Sequence, residues 1–302
     1  MTVGEAMPQE PYLVGIDVGG TFTDLIAYDR STGEVAAFKV PSNRGAPDQA
    51  VLAALDKSEV PWDKIALIVH GTTVATNALL ERRGSAIGFV TTEGFRDVLE
   101  LGRTTRLVPN TLYDPYFSRP PELVERRNRV ALKERTEADG TISIELDERA
   151  IEAIAADLKS RNIEAVAIGF INSFRNPTHE MQARRLLEKY FEHVTVSTEV
   201  LNEVREFERF SAAAINAYVM PVMASYTGRL VAEVKQRHAR TGFYTVASHG
   251  GLLSRKETKT TPARTVLSGP AAGVAATVVL AKIIDQPNLI AYDMGGTSTD
   301  VA

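Results

Sequence analysis

The sequence contains no cysteine among its 302 residues, so disulfide bonds and thiolate-bound metals are excluded. This absence fits a cytoplasmic protein, and we expect that location. Histidine is scarce as well. The five histidines are scattered along the chain, and their spacing shows no metal-binding cluster.

A strong net charge and a long apolar run are also missing. The formal net charge of −4 at pH 7 gives no electrostatic reason to bind nucleic acid or an anionic membrane. The most apolar run, residues 265–284, contains Ser-Gly-Pro near its start and falls short of the roughly 20 apolar residues that a membrane helix needs. We therefore expect no nucleic-acid partner and no membrane span, and we interpret this run as a buried helix.

The most informative feature that is present is a repeated segment. Residues 13–24 lead from an apolar strand into Asp-Val-Gly-Gly-Thr-Phe-Thr-Asp, and residues 289–300 lead into Asp-Met-Gly-Gly-Thr-Ser-Thr-Asp. Six of the eight motif positions are identical. A second strand is predicted after each glycine pair, so we expect each motif to form the tip of a β-hairpin.

The residue types of the motif fit phosphate binding. Glycine lets the backbone aim its N–H groups at a phosphate from close range, and threonine adds hydroxyl donors. A carboxylate repels phosphate, but it fits where Mg²⁺ or its water shell lies between the two. We predict that Asp17 and Asp293 hold Mg²⁺ through water. The predicted phosphate-binding residues are Gly19, Gly20, Thr21 and Thr23 in the first copy, and Gly295, Gly296, Thr297 and Thr299 in the second. An ordinary hairpin turn is the alternative for either copy.

Two further segments place glycine and polar residues directly after predicted strands. One strand ends near His70 and is followed by Gly-Thr-Thr and a predicted helix, whose N-terminus favours an anion. Ordinary helix capping is the alternative for these threonines, and a buried strand-end histidine is the alternative for His70. A later strand ends in Ser-His-Gly-Gly, and we predict that His249 is catalytic. The substrate-side candidates in the two segments are Gly71, Thr72, Thr73, Thr76, Asn77, Gly250 and Gly251.

Prolines shape two other predictions. Residues 107–135 are rich in proline and charge and show little periodicity, so we interpret them as an extended excursion. Pro221 predicts a break between a helix that ends near residue 218 and a further helix over residues 221–237.

The repeated motif and the segment after His70 resemble the ATP-dependent hydantoinase and 5-oxoprolinase family of the actin-like ATPase superfamily, which also includes acetone and acetophenone carboxylase subunits. The resemblance implies an α/β fold in which two ribonuclease H-like domains each direct one phosphate hairpin at a shared ATP. It also implies that Arg205 and Glu208 lie near the substrate, although alternating charges are more typical of a solvated face. The family usually has histidine where this chain has Asn172, so we assign no catalytic or metal role there.

The resemblance extends from residue 14 to residue 302 and suggests three regions. Residues 12–190 are predicted to form an N-terminal ribonuclease H-like domain with the first hairpin. Residues 191–288 continue it with further cleft segments and a linking helix, and residues 289–302 begin a truncated second domain. We therefore expect a truncated or natural fragment of a longer protein, or a subunit completed by another chain, with weak or no ATP turnover on its own.

The resemblance also implies a reaction in which Asp17 and Asp293 are catalytic, either by holding the metal's water shell or by orienting the attacking oxygen. ATP would phosphorylate the oxygen of a cyclic amide such as hydantoin or 5-oxoproline, and water would then open the ring. ATP and Mg²⁺ are the expected cofactors, and a second subunit of a hetero-oligomer is the expected partner. One alternative is an ATP-dependent carboxylase subunit for a ketone such as acetophenone or acetone. A nucleotide-gated scaffold without enzymatic activity is another, although such a scaffold does not need the polar strand ends at residues 71–77 and 249–251.

Overall fold

The computed structural model describes residues 10–43, 45–103, 114–116, 121–238, 240–294 and 299–302, and all structural statements concern these residues. The chain forms two compact units. Unit 1 combines Met1–Arg83 with Val222–Ala302, and unit 2 is Gly84–Pro221. The predicted domain boundaries at residues 190 and 288 divide the chain into three consecutive segments, whereas unit 1 combines two separate segments. The three predicted regions remain a prediction.

Helices and strands alternate along most of the chain. The first part of unit 1 contains β1 (Tyr12–Val18), β2 (Phe22–Asp29), β3 (Val35–Pro41), α1 (Pro47–Lys57), β4 (Ile65–Thr72) and α2 (Val74–Leu80). Unit 2 contains β5 (Ile87–Thr92), α3 (Val98–Leu101), β6 (Arg129–Leu132), β7 (Arg135–Thr136), β8 (Ile142–Ile144), α4 (Glu148–Ser160), β9 (Ala165–Gly169), α5 (Thr178–Leu187), β10 (His193–Val196), α6 (Ser197–Val200) and the start of α7 (Glu206–Arg237). The remainder of unit 1 follows α7 with β11 (Gly242–Val246), β12 (Leu252–Ser254), α8 (Arg255–Thr260), α9 (Ser268–Ile283), β13 (Tyr292–Met294) and β14 (Thr299–Val301). Short 3₁₀ helices lie at Trp62–Lys64, Arg126–Asn128 and Pro262–Thr265.

Unit 1 is built on a six-stranded mixed sheet with the strand order β12-β11-β4-β1-β2-β3. Strands β1, β4 and β11 run parallel to one another, and the other three strands are antiparallel to their neighbours. Val14, Ile16 and Val18 are buried and alternate with exposed residues, as expected of a strand that buries one face. Because the carboxyl ends of parallel strands meet at one edge of a sheet, the residues that follow β1, β4 and β11 share that edge.

Unit 2 has a parallel four-stranded sheet with the order β10-β9-β5-β6. Its core combines buried residues of the strands with those of α4 and α5, among them Ile151, Leu158, Ile168 and Leu187. Strand β6 lies within residues 107–135, the segment that we predicted to be an extended excursion. That prediction is wrong for Arg129–Leu132, which form the strand. Leu132 packs into the same core and β6 pairs with β5, so tertiary contacts create a strand where the local sequence shows little periodicity.

Two helices differ from their predictions. Helix α7 continues through Pro221, so the predicted break is wrong. Met220 and Met223 are buried on either side of it, and this packing stabilises the turn that loses a hydrogen bond at proline. Helix α9 forms where predicted, but most of its residues after the first turn are exposed, including Val279 and Ile283, so the expectation of a buried helix is wrong. Among the described residues, no helix has the length and apolar character required to cross a membrane.

Candidate functional site

The first glycine motif forms the tip of the β1–β2 hairpin, as predicted. Asp17 on β1 pairs in register with Asp24 on β2. The N–H of Gly19 donates to the carbonyl of Phe22 at 3.0 Å, which closes the turn. A Cβ atom at residue 19 would lie 3.0 Å from that same carbonyl oxygen, so the tight turn favours glycine.

The second motif forms the β13–β14 hairpin with the same register. Asp293 pairs with Asp300, as Asp17 pairs with Asp24, and Met294 pairs with Thr299, as Val18 pairs with Thr23. The hairpin prediction is therefore confirmed for both copies. Thr299 lies on β14, whereas Gly295, Gly296 and Thr297 lie outside the described residues, and their phosphate role remains a prediction.

The two motifs interact electrostatically at Asp17. Although this residue retains access to solvent, the protein around its carboxyl group partly desolvates it. This desolvation, followed by the negative charges of Asp24 and Asp293, raises the pKa of Asp17. The charge of Asp293, the first acidic residue of the second repeat, thus contributes to the raised pKa of Asp17 within unit 1.

The residue that faces Asp17 on the neighbouring strand is Gly71, one of the predicted substrate-side residues. A Cβ atom at residue 71 would lie 2.7 Å from Oδ1 of Asp17, which is closer than a stable contact allows. Glycine therefore leaves the space that the Asp17 carboxylate occupies.

The hydroxyl groups of the next residues bind the protein itself. Thr73 donates to the carbonyl oxygen of Val18 at 3.0 Å, and the Asn77 side-chain amide donates to Thr73 at 3.2 Å. Thr72 is buried, and its hydroxyl accepts from the N–H of Val74 at 3.2 Å. The hydroxyl of Thr76 accepts from the N–H of Leu267 at 3.0 Å. The structure thus brings Thr73 to the residue that follows Asp17 and gives the polar atoms of these four residues partners within unit 1.

The loop after β11 follows the third parallel strand to the same edge. His249 is exposed in this loop, and a Cβ atom at Gly251 would lie 2.6 Å from its Nε2, so glycine lets the ring lie over the backbone. Gly250 has a φ of +79°, a conformation that favours glycine. Ser248 holds the loop through bonds from its N–H and hydroxyl to the carbonyl of Arg264. The catalytic role of His249 remains a prediction.

His70 is a buried structural residue. Its Nε2 lies 2.6 Å from the hydroxyl of Tyr226, and its ring also contacts Phe243. Burial lowers the pKa of His70 to about 4, so the ring is neutral at pH 7. This environment agrees with the alternative of a buried strand-end histidine.

Three predicted site residues have other settings. Thr23 is buried, and its hydroxyl lies 2.9 Å from that of Ser42, which favours a bracing role beneath the first loop. Glu208 forms an ion pair with Arg103 in unit 2, and Arg205 is exposed with a φ of +89°. The Glu208 pair agrees with the solvated-face alternative.

A magnesium ion fits the donor set of this site. No group of three or more metal-ligating side chains occurs among the described residues. Mg²⁺ typically keeps several waters and binds one or two carboxylates together with substrate phosphates. Asp17 and Asp293 supply such carboxylates, and the negative charge of Asp293 contributes, after desolvation and the charge of Asp24, to the raised pKa of Asp17.

Two family models cover most of the chain. The hydantoinase/oxoprolinase N-terminal region matches residues 13–191, and the hydantoinase/oxoprolinase model matches residues 209–302. The chain belongs to the hydantoinase/oxoprolinase family. This membership confirms the resemblance drawn from the repeated motif.

Several enzymes of the hydantoinase/oxoprolinase family are similar to the chain. Caprolactamase subunit alpha from Pseudomonas jessenii is 35% identical over 98% of this chain and 44% of its own length. 5-Oxoprolinase 1 from Arabidopsis thaliana is 32% identical over 95% of this chain and 25% of its own length. The chain thus spans less than half the length of either relative.

Solved structures identify the fold. Nucleotide-free acetone carboxylase, from a study of ATP-dependent acetone carboxylation, superposes with a TM-score of 0.86 at 25% identity, over 97% of this chain and 44% of that one. The crystal structure of the ATP-dependent caprolactamase superposes with a TM-score of 0.82 at 34% identity, over 96% of this chain and 43% of that one. The predicted α/β, ribonuclease H-like fold of the actin-like ATPases is therefore confirmed, and the family includes ATP-dependent enzymes.

Some residues of the site were missed by sequence reasoning. Asp24 acts on the charge of Asp17 and pairs with Lys39 at 3.0 Å. The sequence contained a signal for Asp24, because an aspartate ends both copies of the motif. The contacts of Leu267 and Ser268 with residues 72–76 had no signal, because about 190 residues separate the two segments in sequence.

Proposed function

We propose that this chain is the ATP-binding part of an enzyme that opens a cyclic amide. The observation that carries this proposal is the presence in unit 1 of two hairpins with identical register, each with an aspartate at the same position before its glycine pair. The backbone of Gly19, Gly20 and Thr21, with the matching residues of the second hairpin, would bind the phosphates. Asp17 and Asp293 would hold the water shell of Mg²⁺, which supplies charge neutralisation for the transferred phosphoryl group.

The proposed reaction has two stages, phosphoryl transfer and hydrolysis. The amide oxygen bonds to the γ-phosphorus of ATP, the bond to the bridging oxygen breaks, and ADP leaves. Water then adds to the activated carbon, the ring C–N bond breaks with a proton passing to nitrogen, and an acyl phosphate remains. A second water releases inorganic phosphate and leaves a carboxylate. Phosphorylation thus converts a poor electrophile into a good one before water attacks.

The role of the protein's own residues is to position these groups. Gly71 leaves room for the Asp17 carboxylate, and the Gly19 N–H donates to the carbonyl of Phe22 and so holds the tight turn after Asp17. His249 lies in an exposed loop at the same edge of the sheet, where a neutral imidazole would accept a proton from an attacking water. The buried His70 has no such access, so its part is to stabilise the sheet.

The relatives support this assignment and its main alternative. Caprolactamase and 5-oxoprolinase act on cyclic amides by their names, and they favour the amide reaction. The similarity to acetone carboxylase favours a second candidate, in which ATP activates a ketone as its enol phosphate before carboxylation. We also propose a partner subunit, because the caprolactamase relative is one subunit of its enzyme, and a cytoplasmic location.

The experiment that tests this assignment measures ATP consumption by the complete protein with its partner subunit. Hydantoin, 5-oxoproline and caprolactam are compared with acetone and acetophenone, each ketone being supplied with bicarbonate. We expect at least one cyclic amide to stimulate ATP consumption and to yield the ring-opened product. Stimulation by a ketone alone, with incorporation of labelled bicarbonate, would establish the carboxylase instead. ATP turnover that none of these compounds stimulates would contradict both the cyclic amidase and the carboxylase assignments, and it would favour a nucleotide-gated scaffold.

A further inference from the structure

Residues 72–76, where β4 ends and α2 begins, connect the first glycine hairpin to the start of α9. On one side, Thr73 donates to the carbonyl of Val18, the residue between Asp17 and the glycine pair. The Asn77 amide holds the Thr73 hydroxyl from the next turn of the helix. This side of the connection fixes the backbone from which the phosphate-binding loop begins.

On the other side, the same segment, residues 72–76, binds the residues that begin α9. The hydroxyl of Thr76 accepts from the N–H of Leu267, and the hydroxyl of Ser268 donates to the carbonyl of Thr72 at 3.2 Å. Leu267 has a φ of +60°, a strained conformation for a residue with a side chain. Its side chain is exposed, so side-chain burial does not offset this strain. The hydrogen bonds with α2 are the interactions that the structure offers to hold this conformation.

These contacts differ from the two roles predicted from sequence. Thr73 stands at the N-cap position of α2, but its side chain makes no capping hydrogen bond. Its hydroxyl proton points instead to a carbonyl across the sheet edge, 55 positions earlier in the sequence. The Thr76 hydroxyl likewise accepts from the N–H of a residue 191 positions later. Helix capping and direct substrate contact therefore explain these side chains less well than a structural connection does.

We propose that Thr73 and Thr76 are positioning residues that set the first hairpin and the start of α9 in one fixed arrangement. Helix α9 leads along the chain to the hairpin of Asp293, so this arrangement controls how Asp17 meets the second carboxylate. Thr73 directly precedes α2 and Thr76 lies in its first turn, so one short segment contacts both partners. This inference rests on the proposed function, because it concerns the geometry of the same ATP site.

The test removes each hydroxyl while keeping the shape of the side chain. The variants are Thr73→Val and Thr76→Val, with Thr73→Ser and Thr76→Ser to restore the hydroxyl. Thr277→Val is the matched control, since its hydroxyl donates to the carbonyl of Gly273 within α9. Hydrogen exchange is measured without nucleotide, at residues 18–22 and 267–272. Turnover is measured with the complete enzyme and its best substrate.

We expect exchange in both segments to be about fivefold or more faster in each valine variant. The serine variants and Thr277→Val should exchange as the wild type does. We also expect kcat to fall by about 10- to 100-fold in the valine variants while KM stays within about twofold, because misplacement of the catalytic groups affects the reaction more than substrate binding. A purely structural role predicts no such difference between kcat and KM.

Each outcome decides one part of the inference. Unchanged exchange in the valine variants, or failure of serine to restore it, overturns the connection. Faster exchange with normal kcat overturns the positioning role. If Thr73→Val does not fold, hydrogen exchange and kcat of Thr76→Val and Thr76→Ser test the same inference through the contact with Leu267. A wild type that consumes no ATP with any substrate contradicts the proposed function, while the exchange data still decide whether the connection exists.

Discussion

The first hairpin lies inside the six-stranded sheet of unit 1, whereas the second is a two-stranded ribbon that pairs with no other strand in the described part of the chain. Val18 and Met294 occupy the same motif position, yet Val18 is 3% exposed and Met294 is 67% exposed. Their registers are nevertheless identical. The motif therefore specifies a hairpin and its acid pair locally, while burial depends on the surrounding chain.

The two hairpins therefore differ in what they contribute to the stability of the fold and to the proposed reaction. The first hairpin supplies apolar residues to the core of unit 1 as well as the Asp17 carboxylate. The described side chains of the second hairpin are largely exposed, so Asp293 acts through its charge and not through packing. Changes to the carboxylates should therefore affect both hairpins alike, whereas changes to the apolar neighbours should affect only the first.

The largest expected effect is on turnover. Asp17→Asn and Asp293→Asn should each lower kcat of the complete enzyme by about 100-fold or more, because each removes a charge that orients the metal and the phosphates. Steady-state kinetics with the best substrate measure this effect. Asp285→Asn is the control, since Asp285 is an exposed acid near the second hairpin with no assigned role. A near-normal kcat in either motif variant would contradict equal roles for the two hairpins.

The next effect is a pH dependence of the free energy of unfolding. It originates from His70, which lies in the sheet of the first hairpin. His70 pairs in register with Ile16, and its pKa is about 4 in the folded state against 6.5 as the ordinary value. Because the folded pKa is the lower one, this contribution is present above pH 6.5 and is lost as the pH falls toward 4. The difference corresponds to at most about 3 kcal/mol.

Denaturant unfolding at pH 7 and pH 5 measures this dependence. The wild type should lose more stability between the two values than His70→Gln, whose side chain does not titrate. His249→Gln, at an exposed histidine, serves as the control and should behave as the wild type does. Equal losses in wild type and His70→Gln would show that His70 is not held neutral by burial.

A smaller effect compares the matched apolar positions directly. Val18→Ala should destabilise the protein by about 2 kcal/mol, because it removes buried methyl groups and leaves a cavity. Met294→Ala should change the free energy of unfolding by no more than about 0.5 kcal/mol, since that side chain is exposed. Both values come from denaturant titration. Similar losses in the two variants would mean that the second hairpin is buried in solution.

The smallest expected effect is a gain in thermal stability on removal of the Asp17 charge. Desolvation and two neighbouring carboxylates raise the pKa of Asp17, so its ionisation opposes folding as the pH rises through the folded pKa. Asp17→Asn should therefore raise Tm slightly at pH 7 while it abolishes turnover, which is the trade-off expected of a strained functional site. Thermal unfolding of Asp17→Asn beside Asp285→Asn detects it. A lower Tm in Asp17→Asn alone would argue that this carboxylate stabilises the fold.

The sequence predicts the parts of the site that are local. Both hairpins and their paired acids follow from eight consecutive residues, because glycine and strand propensity act over that range. The link from Thr76 to Leu267 spans 191 positions and depends on how the sheet and α9 pack, which no local pattern encodes. Strand β6 and the continuous helix at Pro221 were missed for the same reason, since packing outweighs local propensity there.

The central claim is that the two hairpins meet the same triphosphate, and metal-directed cleavage tests it most directly. Fe²⁺ replaces Mg²⁺ in a complex with ATP, and ascorbate and peroxide then generate radicals that cut the backbone near the bound metal. We predict cuts near both Asp17 and Asp293, which excess Mg²⁺–ATP suppresses together. Cuts at one hairpin alone, or cuts that Mg²⁺–ATP leaves unchanged, would contradict the shared site.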